Sequence, residues 1–348
     1  MDTEDYRGFF ALFARDAEKG GSPLYARLAN EVADDPLVAD ILAARRTGQP
    51  GPNLLLAAAH FLLLRGADHP LRDYFLSCGG ARAADDACAI AFLDFCARHK
   101  DAMTALVAKR ATNTNEAGRS AAIAPGIVEI ARREKRPLFL VELGPSAGLN
   151  LNFDRYAYRY EGRQAGAREF WSPSPLTIVC EARGCEAPDL GKAPPPLAGR
   201  IGLEREPVDI QNTDERDWLR ALVWTERLDR LARLDAAMEI ARVAPPPIMA
   251  GDAIGNLKAA CALAPADAAI IVAHTFVVYQ FAREARLALD DALAVEARLR
   301  PLWRLSLEAG AEGEYALALS RPGESEEILA LCSPHGLWVD WRAPRPGA

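Results

Sequence analysis

The chain has 348 residues, half of them hydrophobic and 26% charged, enough to bury a substantial core in one large or two ordinary domains. Its 41 Lys and Arg against 48 Asp and Glu give a formal charge of −7, which argues against a general nucleic-acid surface. No apolar run approaches the roughly 18 residues of a membrane span, and no basic segment precedes an apolar core at the start, so a cytoplasmic protein is expected.

Residues 1–130 read as a helical domain of four to six helices without a sheet. Phe9, Phe10 and Phe13 recur at helical spacing, and Tyr25, Leu28 and Val32 continue the pattern after Ser22-Pro23. Leu54 to Leu64 is strongly apolar and opens on Pro52-Asn53, as a central helix would. Ala87 to Leu106 gives another periodic helix. A polar stretch, Asn113 to Ser120, closes the region. Either Asn115 or Thr114 caps the next helix, or Asn115, Glu116 and Arg119 lie over the mouth of a cleft and read a polar substrate.

From Pro137 apolar runs alternate with helical patterns. Runs at 138–143, 201–203, 248–249, 269–273, 303–307, 315–319 and 337–341 read as strands, with helices at about 214–233, 252–264 and 281–300. Strands separated by helices indicate an α/β domain over 131–348 with a mostly parallel sheet, and its last two strands are expected to form an antiparallel edge pair. Residues 155–199 break the alternation. Tyr156, Tyr158 and Tyr160 alternate, and 176–180 gives a second short strand, so this segment reads as a β-hairpin insertion.

The chemistry sits at strand ends. The first strand closes on Glu142 and runs into Gly144-Pro145-Ser146-Ala147-Gly148, a small-residue loop suited to close approach of a ligand. Ser146 replaces a middle glycine and Pro145 removes a donor, which weakens a pyrophosphate cradle. Glu204 ends the next strand, where a carboxylate can hold a ribose diol. Asp252 opens a helix and either caps it or meets an adenine amino group. His274 ends a later strand and can act as a base, Tyr156 offers a polar aromatic lining, and Arg200 can bind an anion. The letters G-x-S-x-G also fit a nucleophile elbow at Ser146, the mark of a serine hydrolase. The seven cysteines, Cys78, Cys88, Cys96, Cys180, Cys185, Cys261 and Cys332, contain no CxxC pair, so no metal centre is expected.

Thr114 to Arg119, Glu142 to Leu151, Asp154-Arg155-Tyr156, Arg200 to Glu204, Trp218 to Ala221 and His335 to Trp338 together resemble the DUF2332 family of uncharacterised bacterial proteins over most of the length. Glu204 departs from the aspartate usual there. More distantly, the chain resembles class I S-adenosylmethionine-dependent methyltransferases. That likeness implies a Rossmann-like, methyltransferase-type sheet under a helical cap, with S-adenosylmethionine as cofactor and a small polar molecule as substrate. It places Glu142, Gly144, Ser146 and Gly148 at the methionine part, Glu204 at ribose and Asp252 at adenine. His274, Tyr156, Arg200, Asn115 and Glu116 would serve the acceptor. The alternatives are a nucleoside-binding regulatory or scaffolding protein, and a serine hydrolase.

Overall fold

Apolar residues at helical spacing build α1 (Thr3–Lys19), α2 (Pro23–Val32), α3 (Pro36–Leu42), α4 (Gly51–Leu64), α5 (Cys88–Arg98) and α6 (Lys100–Lys109). Proline stands in the first turn of α2, α3 and α4, where its missing N–H costs no hydrogen bond. The long periodic segment expected over 87–106 is two helices, parted at His99. After α7 (Ser120–Arg133), the helix expected over 214–233 is also two, α8 (Thr213–Ala221) and α9 (Leu228–Val243). The break between them places Thr225 where its hydroxyl accepts the Ser77 N–H at 3.1 Å.

The computed structural model describes residues 3–162, 166–184, 186–309 and 315–343, so Cys185 lies outside the described residues. Two compact units emerge, Met1–Thr114 with Gln211–Asp235, and Asn115–Ile210 with Ala236–Ala348. In the first, α4 is buried on nearly every side, which is why its apolar run shows no polar face. His60 within it is held by the Ala221 carbonyl and Ser77 Oγ, and burial pushes its imidazole down to about 4, leaving it neutral. Among the described residues no helix is long and apolar enough to cross a membrane.

The second unit is built on one sheet. Its strands are β1 (Leu138–Leu143), β2 (Ala157–Gly162), β3 (Gly166–Phe170), β4 (Thr177–Arg183), β5 (Leu197–Glu204), β6 (Ile248–Ala250), β7 (Ala269–Thr275), β8 (Leu302–Ala309), β9 (Tyr315–Ser320), β10 (Glu327–Cys332) and β11 (Trp338–Trp341). They lie in the order β3-β2-β4-β11-β10-β9-β8-β7-β1-β5-β6. The stretch from β8 to β6 is parallel throughout, and β9, β10 and β11 follow as antiparallel neighbours. This is a Rossmann-like α/β sheet whose order reverses between β1 and β7, where such sheets bind ligands at the carboxyl ends of their strands.

Two expectations need correction. The strands at 315–319 and 337–341 do not form an edge pair, because β10 lies between them. The insertion does contain a hairpin, β2 with β3, but its β4 pairs in parallel with β11 and carries the sheet onward. Helices α10 (Ala253–Ala262) and α11 (Arg283–Ala297) cover one face, enclosing Phe139, Val141, Leu143, Ile270 and Val272. Helix α7 covers the other so closely that a Cβ on Gly126 would stand 2.8 Å from Leu305.

Candidate active site

Side chains alternate across a strand, and the register around β1 decides which strand-end groups meet. Glu142 pairs with Gly202 of β5 and Ala273 of β7, whereas Leu143 pairs with Leu203 and His274. Leu143 and Leu203 belong to the core beneath α10 and α11. Glu142 and Glu204 therefore share the opposite face, the α7 side, and His274 does not join them. The structure brings together two of the predicted acids and separates them from the predicted base.

Glu142 is 4% exposed and makes no side-chain hydrogen bond or ion pair with a described residue. Burial pushes its carboxyl up to about 8; Arg119 opposes the shift and Glu204 adds to it. The next residues turn sharply, with left-handed φ of +65° at Gly144, +56° at Ser146 and +75° at Gly148. Ser146 takes the conformation of the glycine it replaces, at a cost of about 1 kcal/mol. The turn is filled by the protein itself. A Cβ on Gly144 would stand 2.5 Å from Val277 and one on Gly148 2.5 Å from Pro246, while Pro145 occupies the space left by Gly202. Glu204 secures the loop by accepting the Ser146 N–H at 2.8 Å and the Glu206 N–H at 3.2 Å.

The polar stretch before α7 is a staple. Asn115 Oδ1 accepts the Leu149 N–H at 3.0 Å, and Ser120 donates to Asn150 at 2.9 Å. Glu116 accepts the Gly118 N–H at 3.0 Å, and its other oxygen lies 3.6 Å from His335 Nδ1. Arg119 donates to the Pro334 carbonyl at 3.1 Å and lies over the Phe276 ring at 4.4 Å. Gly336, at φ +68°, packs so tightly on Gly118 that a Cβ there would fall 1.8 Å from the Gly118 carbonyl oxygen. Two motifs more than two hundred residues apart are thus clamped together beside Glu142.

Arg200 and Tyr156 hold the segment after the loop. Arg200 grips Asp154 with two hydrogen bonds at 2.7 and 2.5 Å and also donates to the Leu151 carbonyl. The Tyr156 hydroxyl donates to the Leu149 carbonyl at 2.6 Å, and burial raises its pKa. Tyr158 and Tyr160 likewise donate to the carbonyls of Phe153 and Ala121. Arg200→Lys is expected to cost about 1–3 kcal/mol, because a point charge cannot replace the planar fork. Urea denaturation checks this, and an unchanged midpoint would show the fork to be dispensable.

Asp252 caps α10 through the Gly255 N–H at 2.8 Å and lies 3.5 Å from Arg205, with its side chain mostly exposed. His274 is 1% exposed and both ring nitrogens are taken. Nδ1 donates to Glu308 at 2.7 Å and Nε2 accepts from Arg304 at 3.0 Å, a pairing set by the permanently charged guanidinium. Burial lowers its pKa against the pull of Glu308, so the ring is neutral with no lone pair left for an acceptor's proton or for Ser146. Sequence reading missed Glu308 and Arg304, although the rule that selects Glu142 and Glu204, an acid closing an apolar strand, selects Glu308 equally well. Among the described residues no group of His, Cys, Asp and Glu is placed to hold a metal.

The family model described as "Uncharacterized protein conserved in bacteria (DUF2332)" matches residues 7–341, and the chain belongs to this family. A comparison with curated proteins found no match.

Proposed function

We propose that the chain binds S-adenosylmethionine over the carboxyl ends of β1 and β5 and transfers its methyl group to a small polar molecule. The observation that carries this reading is the Glu142 carboxyl, buried at the head of a left-handed loop with no hydrogen bond or ion pair to a described residue. A ligand that brings an ammonium removes the penalty of ionising such a group. Glu204 lies on the same face, and each of its oxygens keeps a second lone pair for a hydroxyl beyond the amide it accepts. Pro145 withholds one amide, which matters little to a ligand without phosphates. Asp252 caps its own helix through one oxygen, and the other, on a mostly exposed side chain, is the one that would meet an adenine amino group.

When bound, this group supplies a methyl on a sulfonium centre. The chain's part is to fix its amino acid end at Glu142 and its ribose at Glu204, so that an acceptor meets it in line. A second reading, a ligand-binding regulatory protein without turnover, draws on a different observation. His274, Tyr156, Arg200, Asn115 and Glu116 all spend functional atoms on protein partners.

Calorimetric titration with S-adenosylmethionine and S-adenosylhomocysteine tests both. Saturable binding is expected, tightening about tenfold between roughly pH 6 and 7 and about fivefold more by pH 8 as Glu142 releases its proton. Folded protein that shows no saturable heat overturns the proposal. Binding with no methyl transfer across a panel of small polar acceptors favours the second reading.

A further inference from the structure

Beyond the end of β7 the chain makes an unusual turn. Phe276 adopts φ +57°, a conformation that side-chain-bearing residues rarely hold, and the next three amides all point at one carboxylate. Glu308 accepts the N–H groups of Val277 at 3.0 Å, Val278 at 3.1 Å and Tyr279 at 3.4 Å, besides the His274 ring. Four donors converge on a single group reaching up from β8. Burial alone would raise the Glu308 carboxyl, but the His274 ring, with the Val277 and Val278 amides, outweighs it and holds the group below the usual glutamate range. Behind His274, Arg304 extends its other arm to Asp290 of α11 at 2.7 Å, so the anchor is tied to the scaffold.

What the anchor holds is the other half of the observation. Val277 is the residue whose Cγ2 lies 2.5 Å from a Cβ placed on Gly144, so this segment rests directly on the glycine loop. Its Phe276 ring lies beneath Arg119 and 5.3 Å from Tyr315, and its Tyr279 is exposed. The segment stands beside Glu142, yet its anchor lies on the opposite face of the sheet.

We propose that Glu308 is a positioning residue: it fixes residues 276–280 as a wall seated on Gly144, and this wall shapes the approach to the ligand position above β1. The role of the wall rests on the proposed function; the anchoring does not. Residue-resolved hydrogen exchange on the full chain is the test. In the wild type the amides of 277, 278 and 279 are expected to exchange slowly although Tyr279 is exposed. Glu308→Gln is expected to speed them at least about tenfold, the loss of a charge-assisted bond, while the amides of β1 keep their rates. Glu308→Asp should lie between.

Wild-type amides that exchange freely, or a Glu308→Gln variant with unchanged rates, overturn the anchoring. If that variant does not fold, the wild-type rates and Glu308→Asp decide it. Titration of the same proteins with S-adenosylmethionine separates the two ideas. A variant with fast amides is expected to bind at least about tenfold more weakly, and unchanged affinity overturns the wall. A wild type that binds nothing while its amides respond to Glu308 overturns the ligand reading and leaves the anchoring standing.

Discussion

Glu142→Gln is expected to stabilise the α/β unit at pH 8 and to leave it nearly unchanged at pH 5. The Glu142 carboxyl titrates at about 8 in the folded protein, against 4.5 for an unperturbed glutamate. Between those values the unfolded chain has released its proton and the folded chain retains it. The wild type therefore loses stability as pH rises through this window, by up to about 1.4 kcal/mol per unit. By pH 8 the accumulated cost is on the order of 4 kcal/mol, large beside the margin that holds ordinary domains together. Glutamine has nearly the shape of the protonated acid and does not titrate, so the variant lacks this slope. Urea denaturation of both proteins at pH 5, 6, 7 and 8 reads the gap directly. Parallel curves would show that Glu142 has a partner or solvent in solution, and would take with them the main support for the proposed function.

Gly336→Ala should be among the most damaging small substitutions in the chain. At φ +68° an alanine costs about 1 kcal/mol through backbone conformation alone. The larger effect is contact, since its Cβ would lie 1.8 Å from the Gly118 carbonyl oxygen and 2.3 Å from the carbonyl carbon. Backbone cannot rotate away as a flexible side chain can, so the two motifs must separate, at a combined cost of about 3 kcal/mol or more. Gly323 provides the control. It has φ +86° with nothing within 4 Å of the added carbon, so Gly323→Ala carries only the conformational cost. Equal losses of denaturation midpoint in the two variants would show that the clamp between 118 and 336 is not formed.

Much of the framework was legible because it is written in local pattern. The apolar run of β1, the glycine loop after it and the acid closing β5 all follow from neighbours in sequence. The Asp252 cap was also open to reading, because capping requires only the next three residues. What escaped depends on distant partners. The strand at 327–332 joins only because β9 and β11 flank it, and β4 extends the sheet only by meeting β11 across more than 150 residues of chain. Arg200 reads as an anion site in sequence, and only folding places Asp154 against it.

By itself the sequence determined a mostly parallel α/β sheet, preceded by helices, with acids at the ends of its strands and a turn of small residues after the first. Local periodicity and backbone preference suffice for that. Tertiary structure alone decided which of those groups meet. Because side chains alternate, a register that sets Leu143 rather than Glu142 beside His274 sends the base to one face and the acids to the other. The same packing that gave His274 both of its partners left Glu142 with no hydrogen bond or ion pair among the described residues, only the charge of Arg119 against its burial, and that gives the carboxyl its chemistry.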